Sequence, residues 1–196
     1  MNFQHKPVLF DETIKSLNIH PDGVYIDGTA GGGGHSQAIA DRLTTGKLLS
    51  IDQDPDAIKA VTERLQSYSC SIVYQANFSE MAQVAASLKL VPADGALLDI
   101  GVSSYQLDNP ERGFSYHLDA PLDMRMSKQG ASAADLVNNL SWQELAQIIS
   151  RYGEDRNARS IAKGIVKARS QKPIQTTLEL AEIIKESVPA AVRREQ

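Results

Sequence analysis

The chain has 196 residues, 42% hydrophobic and 22% charged, with a formal net charge of −4. That length suits one domain, or a core with a smaller second unit, and the composition excludes disordered, collagen-like and coiled-coil chains. The lone Cys70 excludes a disulfide framework and a cysteine-rich zinc site; no apolar run approaches the roughly 18 residues of a membrane span, and the start lacks the apolar stretch of a signal peptide, so a cytoplasmic protein with no membrane partner and no bound metal is expected.

In chain order, a short helix is expected first, with Asp11 as its cap. Apolar runs then predict strands at Val24–Asp27, Leu48–Asp52, Ser71–Gln75 and Gly95–Ile100. Helical patterns separate them at His35–Leu43, Pro55–Gln66 and Ser79–Leu88. In the second of these Ile58, Val61 and Leu65 recur at helical spacing, and Asp54 before Pro55 reads as a cap with proline at the first helical position. Strands alternating with helices imply βαβ units and a parallel, doubly wound α/β sheet. Val102–Gly130 has no sustained period and is rich in Ser, Asp, Pro and Gly; a loop that long is usually functional. From Ser132 onward the pattern is helical. Capping boxes at Ser141–Glu144 and Thr176–Glu179 open two helices, the first with Leu145, Ile148, Ile149 and Tyr152 on one face and Gly153 placed to end it. A break near Gln106 is therefore expected, with residues 1–105 as an α/β core and 106–196 as a linker loop plus helical unit.

Asp27-Gly-Thr-Ala-Gly-Gly-Gly-Gly-His35 follows the first strand and precedes a helix. Glycines there let the backbone approach a ligand, and a helix N-terminus favours anionic or polar acceptor groups. The spacing is neither the G-x-G-x-x-G dinucleotide fingerprint, which disfavours an oxidoreductase, nor a P-loop. Asp27 before the turn suits a ligand carrying both an amino group and a carboxylate. Asp52 ends the second strand, 21 residues beyond Gly31, where a carboxylate accepts both hydroxyls of a ribose. Phe78, just past the third strand, suits stacking on an adenine ring or an ordinary place in the core. With Asp99 at the end of the fourth strand, these features describe an adenosine-type cofactor lying across the strand ends.

The net charge hides an asymmetry. Residues 1–150 carry 10 Lys and Arg against 18 Asp and Glu, while Arg151–Lys172 carries 7 against 2. In a helix through Arg156–Arg169, the cations Arg156, Arg159, Lys163 and Lys167 fall on one face, separate from Ile161 and Ile165. A phosphate rail and a merely solvated face both account for that pattern.

The motifs His5–Leu9, Tyr25–Thr29, Gly33–His35, Ile51–Pro55, Asp99–Ser104, Gln106–Asp108, Glu111–Ser115, Pro121–Met126 and Tyr152–Glu154 together resemble the RsmH/MraW group of methyltransferases, over essentially the whole chain. The resemblance implies a class I, Rossmann-like, S-adenosylmethionine-dependent core with an inserted helical domain between its fourth and fifth strands. It implies methylation of N4 of a cytidine in the decoding region of small-subunit (16S) ribosomal RNA, on the RNA or the assembled subunit. It also implies cofactor contacts at Gly33, Gly34, His35, Asp52, Phe78, Asp99 and Gln106. Members of the group are longer and continue into further strands, so an incomplete sheet is expected, with Gly95–Ile100 at an edge open to pairing. A homodimer is one way to cover that edge. A chain that binds S-adenosylmethionine or RNA without turnover is the alternative function. For the chemistry, Asp99 is the expected catalytic residue, organising the target amine. Ser103 and Ser104 are expected near the base. Arg112 and Arg125 are suited either to RNA or to pairing with Asp108, Glu111 or Asp123.

Overall fold

The computed structural model describes residues 9–189, so His5–Val8 of the first motif lie outside the described residues. Four parallel strands, β1 (Val24–Asp27), β2 (Lys47–Asp52), β3 (Ser71–Gln75) and β4 (Gly95–Leu97), pair in the order β3-β2-β1-β4. Ile26 lies in register between Leu49 and Ala96, and Leu49 in turn lies opposite Ile72. Between the strands run α2 (Gly34–Ala40), α3 (Pro55–Leu65) and α4 (Met81–Ser87), with α1 (Phe10–Ser16) leading.

Alternation along each strand decides which helix it meets. Tyr25 and Leu48 point to the face that packs Ile14, Ile39, Val61 and Leu65, from α1, α2 and α3. Ile26, Leu49 and Ile51 point to the other, against Val84 and Ala85 of α4 and Leu90 beyond it. Both faces of β1 and β2 are covered, hence their near-continuous apolar sequence. Leu48, Leu49, Ile51, Ile39 and Val61 are fully buried, each worth about 1.5–3 kcal/mol relative to exposure. The result is the parallel sheet that the alternation predicts and the Rossmann-like core that the family resemblance implies.

Several local expectations are corrected. The first helix is capped at Leu9, which is in left-handed conformation; Asp11 lies inside the first turn, where its charge faces the positive helix end. The third helical stretch opens as a 3-10 turn, Phe78–Glu80, under a capping box from Asn77. β4 ends at Leu97 rather than Ile100. Its neighbour β1 stops at Asp27, and after Gly28 donates to Leu97 O at 2.9 Å the neighbouring strand turns away into the glycine loop. Residues 98–100 therefore have no ladder to join, and Asp99 lies past the strand.

The described chain divides into two compact units, Met1–Ser103 with Met126–Lys128, and Ser104–Arg125 with Gln129–Gln196. The second unit holds α5 (Ser104–Asp108), α6 (Ala133–Asn139), α7 (Trp142–Gly153), α8 (Ala158–Arg169) and α9 (Thr177–Ser187). Its core joins Leu122, Val137, Leu145, Ile161, Ile165, Ile174 and Val188. Both predicted capping boxes form, and Ser132 with Asp135 makes a third. The region 102–130 is less bare than its sequence suggests, since α5 and a 3-10 turn at Pro110–Arg112 lie within it. α7 does end at Gly153, but the left-handed residue that follows is Glu154. Tyr152, expected on the apolar face, is 74% exposed. α8 begins at Ala158, so Arg156 precedes it. No helix among the described residues is long and apolar enough to cross a membrane.

α8 packs tightly on α9 at Gly164, where an added methyl group would overlap Ser187 Oγ, itself bonded to Ile183 O at 2.6 Å. Gly164→Ala is expected to destabilise the protein by about 1–3 kcal/mol, the usual cost of overpacking. Adding Ser187→Ala should recover part of that loss. Urea unfolding of the single and double variants checks this; equal midpoints for Gly164→Ala and the parent would show that the helices simply separate.

Candidate functional site

β1 is flanked by β2, which follows it directly, and by β4, which arrives last. The loops leaving β1 and β4 therefore diverge, and the crevice at their carboxyl ends is where ligands bind in open α/β sheets. The glycine segment fills this position. Gly31 and Gly33 have φ of +51° and +79°, values that residues with a Cβ rarely adopt, and a Cβ on Gly33 would press on Val61 of α3 at 3.0 Å. Gly33 is itself buried, its N–H donating to Ala30 O at 2.7 Å and its carbonyl accepting from Gln37 N at 2.9 Å, so it turns the chain into α2.

Three carboxylates bear on this loop, each differently. Asp27 is 1% exposed: its Oδ2 accepts from Ser36 Oγ at 2.6 Å, its Oδ1 from Thr29 N at 3.2 Å, and Ser50 Oγ supports Ser36 at 2.9 Å. Burial pushes its carboxyl up to about 6, against the lowering effect of the Ser36 and Thr29 hydrogen bonds. Asp27 braces the turn from below. Asp52 is half-buried at the end of β2, accepting from Gly31 N at 2.8 Å with one oxygen and from Asp54 N at 2.9 Å with the other. Burial raises its pKa as well. An ionised carboxylate offers about four acceptor sites, and with the Gln53 N–H also bearing on it, capacity for a further donor remains. Asp54 is 2% exposed and accepts from Asp56 N at 2.9 Å, the capping role its sequence indicates.

Asp99 is exposed at the mouth of the crevice. Its backbone N donates to Thr29 Oγ1 at 2.7 Å, which ties the segment after β4 to the loop after β1. His35, in the first turn of α2, is 6% exposed and stacks on Phe10 with ring centroids 5.2 Å apart. Burial lowers its pKa, opposed by the Asp99 charge, and its Nε2 is buried with no hydrogen-bond partner among the described residues. Phe78 is half-buried at the start of its 3-10 turn; a Cβ on Gly28 would touch it at 3.4 Å. The first unit thus brings together Asp27, Gly33, Gly34, His35, Asp52, Phe78 and Asp99. Three positions without an expected role take part: Thr29, Ser36 and Ser50. Their signal was a short hydroxyl residue inside or facing a glycine turn, which by itself is too common to select.

Gln106 is buried on α5 of the second unit. Ser103 ends the first stretch of unit one, and Ser104 opens α5. Arg125 makes a bidentate pair with Asp123, at 2.6 Å for Nη2 to Oδ2, and this holds the Asp123 carboxyl below its ordinary value. Arg112 is 4% exposed; its Nη2 donates to Arg125 O at 3.0 Å, and its guanidinium lies 5.9 Å from the Phe114 ring centroid. Arg125 thus makes the expected pair with Asp123, and Arg112 is buried against the Arg125 carbonyl and the Phe114 ring in the irregular chain between α5 and α6.

Comparison with known proteins follows the same lines. The model of the MraW methylase family matches residues 2–196. Ribosomal RNA small subunit methyltransferase H of Lachnospira eligens is 57% identical over 196 residues, covering 98% of this chain and 62% of the relative. The protein of the same name from Clostridium botulinum strain 657 is 50% identical over 197 residues, covering 100% of this chain and 64% of the relative. The chain thus spans less than two thirds of the length of these curated relatives. Among solved structures, NSun6 from Pyrococcus horikoshii with SFG aligns over 49% of this chain and 24% of its own, with TM-score 0.41 and 24% identity.

The buried Asp27 carboxyl has a consequence for stability. Its folded pKa, about 6, exceeds the ordinary value of 3.8, so between these values the folded state binds the proton that the unfolded state has released. Stability contributed by this group is therefore present below about pH 4 and is lost as the pH rises through 6, in total by about 3 kcal/mol. Asp27→Asn should flatten the pH dependence of the urea midpoint between about pH 4 and 6.5 relative to the parent. Parallel curves would mean that Asp27 ionises without cost in the fold.

Proposed function

The chain belongs to the MraW methylase family, and from that premise we propose that it transfers a methyl group from S-adenosylmethionine to N4 of a cytidine in the decoding region of small-subunit ribosomal RNA. The observation that supports the reading is the glycine loop after β1, whose Gly31 N–H is held by Asp52 at the end of β2 and whose Thr29 hydroxyl holds the segment after β4. The residues fit the cofactor's chemistry. Asp52 retains acceptor capacity for a ribose hydroxyl. Phe78 offers a ring for adenine. The N–H of Gly34, in the first turn of α2, and the imidazole of His35 offer polar contacts to the amino-acid end, and Gly33 shapes the turn that presents them. Asp27 acts beneath them by holding the turn.

When bound, the sulfonium supplies an electrophilic methyl group. The protein's task is then positional, because the N4 lone pair is conjugated with the cytosine ring and attacks only when held in line at about 3 Å with water excluded. Asp99 carries an exposed carboxylate at the mouth of the crevice, fixed through its backbone by Thr29. It accepts one N–H of the target amine and orients the nitrogen. The amine becomes acidic only as the N–C bond forms and the S–C bond breaks, so no strong base is required beforehand. Ser103 and Ser104 are suited to the edge of the base. A base in folded RNA has to be splayed out to reach such a site, which costs least in irregular or single-stranded regions.

Two outcomes test this. Asp52→Ala should weaken S-adenosylmethionine binding, measured by isothermal titration, by roughly 1.5–3 kcal/mol, the scale of hydrogen bonds to a charged group; an unchanged affinity in a folded variant would remove Asp52 from the site. In a protein of the relatives' full length, Asp99→Ala should slow methyl transfer to small ribosomal subunits by roughly 100-fold, the scale for one preorganised group at a reacting centre, with little change in thermal midpoint. Near-normal turnover would leave Asp99 only a structural role.

A further inference from the structure

The second unit sorts its cations by what they already do. Of the seven Lys and Arg in Arg151–Lys172, Arg169 donates to Val137 O at 2.6 Å and Lys172 pairs with Glu179 at 2.8 Å, so both hold the helices together. Arg151 lies over the ring of its neighbour Tyr152, 5.4 Å from the centroid. The other four, Arg156, Arg159, Lys163 and Lys167, are exposed, and none of them forms an ion pair among the described residues.

Arg159, Lys163 and Lys167 recur every four residues along α8, a rise of about 6 Å per step. The same helix buries Ala158, Ile161, Ala162 and Ile165, so the cations occupy the flank turned from the core. Like charges at this spacing oppose helix formation, and among the described residues no acid pairs with them. Arg156 extends the row just ahead of the helix.

Aromatic rings accompany the row. Lys163 Nζ lies 5.1 Å from the centroid of the Trp142 ring, which shows that this flank of α8 runs beside α7. Tyr152, next to the end of α7, is 74% exposed on what its sequence makes an apolar face. Arg156 follows it four positions later, a reach of at most about 14 Å. Unpaired cations in a line near an exposed ring, which Arg151 backs on one side, form the combination that binds single-stranded nucleic acid, phosphates along the charges and a base against the ring. A duplex or an acidic protein would satisfy the charges but would leave the ring unused.

We propose that the Arg156–Lys167 row together with Tyr152 is a docking surface for a single-stranded segment of RNA. The proposal rests on the RNA-methylation reading and gives its substrate a holding surface on the second unit.

The test measures binding of a labelled single-stranded oligoribonucleotide by fluorescence anisotropy across a salt series. Arg159→Gln with Lys167→Gln should make the slope of log affinity against log salt shallower by about 1.4, at roughly 0.7 for each phosphate no longer neutralised. Tyr152→Ala should leave the slope alone and weaken single-strand binding by roughly 5- to 150-fold, the loss of one stacked base, with little effect on a duplex of the same sequence. An unchanged slope in the double variant overturns the row. Equal loss on single strand and duplex overturns the role of Tyr152. Tighter binding of polyglutamate than of RNA to the parent, abolished in the double variant, would assign the surface to an acidic protein instead. Titration of S-adenosylmethionine into the same proteins reads the other site: no binding by the parent overturns the cofactor reading while the salt slopes still decide the row.

Discussion

β1 is the constraint on which the first unit depends. It is only four residues long, yet it is bonded on both edges and covered on both faces. A strand enclosed in this way offers the chain a single direction of exit, past its carboxyl end. Because β2 lies on one side and β4 on the other, the segments leaving β1 and β4 separate there and open a crevice. Large side chains in the turn would close that crevice or strain the backbone, and the run of glycines keeps it open. The position of the site follows from strand order before any functional side chain is considered.

The carboxylates around the crevice show how burial divides labour among chemically identical groups. Asp27 points to the α2 side of the sheet, where the Ser36 hydroxyl, itself supported by Ser50, and the Thr29 N–H compensate for lost water. Asp52, one strand over, is half-exposed and keeps acceptor capacity outward. Asp99 stands in water, with only its backbone held. A buried carboxylate suits holding a loop, a partly buried one suits binding neutral hydroxyl donors, and an exposed one suits meeting an incoming base. Thr29 joins the first and last of these, since its N–H is held by Asp27 and its hydroxyl holds Asp99.

The second unit is built by other means. Its helices are short, and isolated helices of such length are marginal in water. Three capping boxes satisfy their first-turn N–H groups, a small apolar core joins their inner faces, and the Asn138 side chain pins Ile174 through both its N–H and its carbonyl, at 2.9 and 2.7 Å. Arg112 and Arg125 stabilise the irregular chain before it. Cations that take part in this scaffolding are thereby distinguished from those that do not.

Much of this was legible in the amino-acid order alone. Alternating apolar runs gave the parallel sheet. The proline after Asp54 and the paired Ser or Thr and Glu residues gave the helix starts, since caps and periodicity are local and depend on neighbours a few residues away. The glycine run after β1 located the candidate site, and unusual words such as Glu111–Ser115 and Pro121–Met126 pointed to the family. What the tertiary structure alone decided involves distance along the chain. Residues 98–100 lose their strand because β1, far earlier in the chain, turns away. Asp27 becomes a brace because Ser36 and Ser50 converge beneath it. Arg112 and Arg125 turn inward because their partners lie in the same irregular stretch, whose path has no period to read. Tyr152 is exposed near the end of α7, where Arg151 lies over its ring. Local order sets which elements form; only the packed chain sets which groups each element leaves satisfied, buried or free.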